Sequence, residues 1–93
     1  MATPAAGSTI VCVMPTVFRE RGFRFFFYSN EGSPREPMHI HVGNENLEAK
    51  FWLKPEVRVA YNDGCDARTL RELLVIVEAN KDRIERAWDE FFG

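Results

Sequence analysis

The spacing of apolar residues changes once along this chain, at Asn62-Asp63-Gly64, and that change restricts what it can fold into. Upstream, between Thr16 and Tyr61, apolar and polar residues alternate with the two-residue period of half-buried strands. Downstream of Asp66, Leu70, Leu73, Leu74 and Val77 recur at helical spacing, continued by Ile84, Ala87, Trp88 and Phe91. Strands first and helices last point to an α+β domain: a small antiparallel five-stranded meander followed by two C-terminal helices packed on one face.

The strand region divides at its turn residues. Thr16 to Arg19 and Phe23 to Tyr28 are aromatic-rich runs separated by Glu20-Arg21-Gly22, a hairpin-length connection. SNEGSPREP, residues 29–37, is a loop by its Gly, Pro, Ser and Asn content. His39 to Val42, Leu47 to Leu53 and Val57 to Tyr61 complete the expected sheet, with a turn over Gly43-Asn44-Glu45-Asn46. Asp66 is a suitable helix N-cap. A single helix over 67–92 would be about 39 Å long at about 1.5 Å per residue, whereas the strands are about 20 Å long. A break at Asn80 is therefore expected, so that two shorter helices cover the sheet.

With 93 residues, 45% of them hydrophobic and 13% aromatic, the chain has material for one core and no second domain. Residues 1–13 are small and uncharged, and the character changes at Met14-Pro15. They are expected to be a disordered extension, with the α+β domain over 14–93 and Met14 its natural start. Twelve Lys+Arg against fourteen Asp+Glu give a net charge of −2, which disfavours a nucleic-acid partner. Cys12 and Cys65 lie far apart and form no CxxC pattern, which suits a reducing compartment. No apolar run is long enough to span a membrane and none resembles a signal peptide, so a cytoplasmic location is expected.

The chemistry-bearing residues gather on one side of the expected sheet. Ile40 and Val42 would face the helices together with Phe23, Phe25, Phe27, Leu47, Ala49, Phe51 and Leu53. His39 and His41, the only histidines, would then join Arg24, Phe26, Tyr28, Glu48, Lys50, Trp52 and Arg58 on the outer face. A mixed cationic and aromatic face suits recognition, although antiparallel sheets also carry such residues on a wetted face with no ligand. The candidate binding residues are Arg24, Tyr28, His39, His41, Lys50 and Trp52. Two histidines with Glu48, or more weakly Glu36, fall short of a clear metal set, and no cofactor is implied. A histidine-triad nucleophile is not supported, because Gly43 stands where the third histidine would be. If the chain is an enzyme, His39 and His41 would be acid and base and Glu48 would orient one of them, as in a small RNase-like toxin.

The runs RFFFYSNEG (24–32), EPMHIHV (36–42) and EAKFWLKP (48–55) together resemble the bacterial family catalogued as domain of unknown function 4160. Its members typically begin as Met14-Pro15-Thr16-Val17-Phe18-Arg19 do here, and the resemblance covers residues 14–93. It implies a small bacterial cytoplasmic protein from a family without an established activity. The genes of that family often lie beside those of domain of unknown function 2442, which implies a two-gene, toxin–antitoxin-like or regulatory pair and a protein partner. The family pattern carries over to Tyr28, Asn30, Glu31, Pro37, His39, His41, Glu48, Lys50 and Trp52. Cys65 departs from it, standing where an aromatic residue is expected after Gly64, and reads as packing. Homo-oligomerisation stays open.

Overall fold

The computed structural model describes residues 15–29 and 36–93. Its elements run β1 (Thr16–Glu20), β2 (Phe23–Phe26), β3 (His39–Gly43), β4 (Glu48–Trp52), β5 (Arg58–Asp63), α1 (Ala67–Ala79) and α2 (Lys81–Phe92). The five strands pair antiparallel in sequence order, and the two helices follow them. The extension expected over residues 1–13 lies outside the described residues, as do Met14 and residues 30–35 of the loop.

Each turn has a local cause. Glu20 pairs with Phe23, so Arg21-Gly22 is a two-residue hairpin loop. Its φ angles of 55° and 82° are those of a type I′ turn, whose twist matches the flanking strands. Between β3 and β4, the Asn44 side-chain oxygen accepts from the backbone N–H groups of Asn46 and Leu47. This is the local turn chemistry that asparagine supplies.

One face of the sheet makes the core. Phe25, Phe27, Ile40, Val42, Ala49, Phe51 and Leu53 are sealed against Leu73, Ile76 and Val77 of α1 and Ile84 and Trp88 of α2. Phe23, Leu70, Leu74 and Ala87 pack at its margin, while Phe91 remains exposed. The break at Asn80 is present. The Asn80 side-chain amide donates to the Ile76 carbonyl at 2.8 Å, closing α1, while its own carbonyl accepts from Ile84 N–H at 2.9 Å and opens α2. One residue ends one helix and starts the next.

Asp66 caps α1 by accepting from Thr69 N–H at 2.8 Å. The hydrogen bonds from Thr69, and then the nearby Arg68 charge, hold its carboxyl below the ordinary value. A carboxyl lowered in the folded state contributes stability above its unfolded pKa, and that contribution is lost as pH falls through the folded value. Asp66→Ala is therefore expected to be less stable than the parent at pH 7. The gap should narrow on acidification below the ordinary value of 3.8, as read by urea denaturation at both pH values. Beside the cap, Cys65 is a free thiol packed at the core margin. Burial, and then the charges of Asp66 and Asp63, push its pKa up.

Two strands depart from simple alternation. β2 ends its ladder at Phe26 rather than at Tyr28, although Phe27 N–H still reaches the Pro15 carbonyl at 3.1 Å. β5, expected to end at Tyr61, runs from Arg58 to Asp63. The register explains why: Phe51 pairs with Val59 but Lys50 pairs with Tyr61, so Ala60 is an extra residue. That bulge carries Asn62 and Asp63 into pairing with Ala49 and Glu48 and reverses the side on which Tyr61 projects.

Candidate functional site

The cross-strand register sorts the outer face into rows. Arg19, Arg24, Gly43, Glu48 and Asp63 form one, and Thr16, Phe26, His41, Lys50 and Tyr61 form the next. His39, Trp52 and Arg58 form the third. Arg24, His39, His41, Lys50 and Trp52 thus share one face, and Tyr28 reaches the same cluster through its ring contacts.

The depth of these residues differs from a wetted sheet face. His39 is 0% exposed, His41 2% and Phe26 5%, whereas Arg24, Tyr28, Glu48, Lys50 and Trp52 are half-buried. The outer face is layered, with imidazoles and a phenyl ring underneath and longer polar and aromatic side chains above. His41 lies against the Phe26 ring and meets the Tyr28 ring edge-on at 4.5 Å. His39 is boxed by His41, Trp52 and, from α2, Trp88 at 5.0 Å. The β2 ladder ends opposite His41, so no β2 residue pairs with His39, and Trp88 packs against its ring.

Each histidine has its own carboxylate. Nδ1 of His39 lies 2.8 Å from the Pro37 carbonyl; a carbonyl only accepts, so this nitrogen carries the hydrogen. Glu36 lies further out, 3.8 Å from the same nitrogen, and pairs with Lys50 Nζ at 3.1 Å. The Lys50 ammonium also sits 4.5 Å from the centre of the Trp52 ring, a cation–π arrangement. Nδ1 of His41 lies 3.5 Å from Glu48 Oε2. That oxygen also accepts from Tyr61 OH at 3.0 Å and Tyr28 OH at 3.3 Å.

Tyr61 is the residue that sequence reasoning missed. Strict alternation places it on the same side as Val57 and Val59; the bulge at Ala60 turns it to the outer face, beside Glu48. No local signal in the sequence marks the bulge, which exists only in the pairing of β4 with β5.

Chemically, this arrangement can fix a carboxylate and present a cationic and aromatic surface. Glu48 approaches His41 and Glu36 approaches His39, but the two pairs stay separate. Among the described residues, no group of three or more His, Cys, Asp or Glu is placed to hold a metal ion. The two histidine rings are sealed, at 0% and 2% exposure. Among the described residues, no helix is long and apolar enough to cross a membrane.

Fold and face together define a small α+β domain whose meander sheet is covered by helices on one side and by its own layered polar and aromatic side chains on the other. The chain belongs to the family described as Domain of unknown function (DUF4160), whose model matches residues 22–89. The matched segment includes the three runs around Phe26, His39 and Glu48. Comparison with curated proteins and with solved structures finds no match.

Proposed function

We propose that this protein is a binding module, one half of a two-gene regulatory pair of toxin–antitoxin-like organisation, and that the outer sheet face is its recognition surface. The supporting observation is the layering of that face. Phe26, His39 and His41 are packed to 5%, 0% and 2% exposure beneath Tyr28, Lys50 and Trp52, which keep access to solvent. Aromatic and cationic groups held this way lose little conformational freedom on binding, the property of an interface anchor. The near-balanced charge of the chain favours a protein over a nucleic acid, and the partner proposed is the neighbouring domain-of-unknown-function-2442-type protein.

In this reading Arg24, Tyr28, Lys50 and Trp52 make the contacts, with Arg58 at the edge, and the histidines hold them in place. Charge reversal tests this, with the fold checked alongside because Lys50 also pairs with Glu36. Lys50→Glu combined with Arg58→Glu is expected to weaken capture of the co-expressed partner at least about tenfold, or about 1.4 kcal/mol. Circular dichroism should stay that of the parent. Undiminished capture by the folded double variant would exclude the face.

A further inference from the structure

Beside its core-facing side, α1 carries an apolar stripe that the rest of the fold does not cover. Leu73, Ile76 and Val77 are buried against the sheet. Ala67, Leu70, Arg71 and Leu74 lie next to that side and, with Val59 of β5, line an apolar groove of about 250 Å³. Val59 is 39% exposed, and Val75, one residue beyond Leu74, is 65% exposed. An exposed helical position favours a straight-chain polar residue over a β-branched apolar one, so nothing local accounts for Val75. β5 ends the sheet order and pairs with β4 on one side, so among the described residues no strand lies beyond Val59.

The charges bordering this stripe match each other and no neighbour. Elsewhere on the helices, Arg68 approaches Glu72 and Lys81 approaches Glu85, each pair four residues apart. Arg71 and Glu78 are exposed and make no ion pair among the described residues. Four residues on from Arg71 stands Val75, and four back from Glu78 stands Leu74, so the usual helical partner position of each is apolar. Seven residues are close to two turns, so Arg71 and Glu78 project on the same side, about 10.5 Å apart along the helix. A two-fold axis midway between them, beside Leu74 and Val75, runs a second α1 antiparallel to the first. Each Arg71 then stands opposite the Glu78 of the other copy. Leu74 and Val75 meet their counterparts between the two ion pairs. A surface that complements itself about one axis is what a two-fold interface requires.

We propose that α1 pairs antiparallel with the α1 of a second copy of this chain, through the Leu74 and Val75 stripe and two Arg71–Glu78 ion pairs. The contact lies on the helix side of the sheet, so the outer faces of both copies stay open. It goes beyond the protein-partner reading and does not rest on it. From Ala67 to Glu78 the stripe covers about three turns of one helix. A contact this small belongs to the weak class, with an expected Kd of about 100 µM.

Sedimentation equilibrium of the full chain between about 5 and 500 µM brackets that Kd and tests the pairing. The parent is expected to run as a monomer at the low end and mostly as a dimer at the high end. Arg71→Glu and Glu78→Arg, made separately, each set like charges opposite one another twice. Each should weaken the dimer at least about tenfold, at unchanged Tm in dilute solution because both side chains are exposed. An equimolar mixture of the two variants should recover the parent affinity to within about threefold, since every contact in the mixed pair joins opposite charges. The chain carrying both substitutions keeps the parent net charge and should recover it as well. A parent that stays monomeric at about 500 µM leaves the stripe to a different protein and overturns the proposal. So do single variants that dimerise as the parent does, or a mixture and a double variant no stronger than the singles.

Discussion

Trp88→Ala is expected to destabilise the domain by about 3–5 kcal/mol, as large-to-small changes at buried aromatic positions do. Trp88 is 3% exposed and touches three rings: Phe27 at 5.4 Å, His39 at 5.0 Å and Phe92 at 4.2 Å. It therefore links the helix-side core to the buried layer of the outer face. For a domain near 100 residues each kcal/mol corresponds to about 4–8 °C in Tm, so the expected loss is at least about 12 °C. Against a typical total of about 5–15 kcal/mol, much of the folded-state margin would go. Urea denaturation of the variant measures the loss. Amide exchange locates it, with the first loosening expected in α2 and around His39. A cost under about 1 kcal/mol would mean that the end of α2 is held by Ile84 and Phe92 without the indole.

That link between the two faces is the part of the fold that sequence did not convey. The inner face was legible because its signal is local: alternation in β2, β3 and β4 assigns Phe25, Ile40, Val42, Ala49 and Phe51 correctly, whichever strands they pair with. The helix break was legible for a related reason, since the length of the sheet limits a helix and Asn80 is a natural stop. The membership of the outer face followed from the same alternation. Its depth did not. Whether His39 and His41 are wet or sealed depends on where the β2 ladder stops and on a tryptophan some fifty residues downstream, and neither is encoded near the histidines. Tyr61 was invisible for a similar reason, because its side of the sheet is set by a bulge in a pairing with β4. The site therefore differs in kind from the sequence expectation. The histidines lie under the surface, and the groups that meet solvent include Arg24, Tyr28, Glu48, Lys50, Trp52, Arg58 and Tyr61.

The burial of His41 leads to the second large effect. His41→Ala is expected to cost about 2–4 kcal/mol, the range for emptying a sealed position of a ring-sized side chain. His41→Phe is the informative counterpart. It keeps a ring against Phe26 and Tyr28 while removing the nitrogen that lies 3.5 Å from Glu48 Oε2. The Glu48 side chain is 35% exposed and retains both tyrosine hydroxyls, so water and those two donors continue to solvate the carboxylate. A contact this long to a carboxylate this accessible contributes little. His41→Phe should accordingly stay within about 1.5 kcal/mol of the parent, since volume-conserving replacements in a packed site are tolerated best. The two variants separate packing from polarity. If phenylalanine is as damaging as alanine, the imidazole nitrogen holds Glu48 in place and the face is organised by that polar contact. If phenylalanine restores both stability and partner capture while alanine loses both, His41 acts as a ring in a buried layer. The one-residue spacing of His39 and His41 then follows from strand geometry, which puts two rings on the same side of β3, and needs no proton chemistry to account for it.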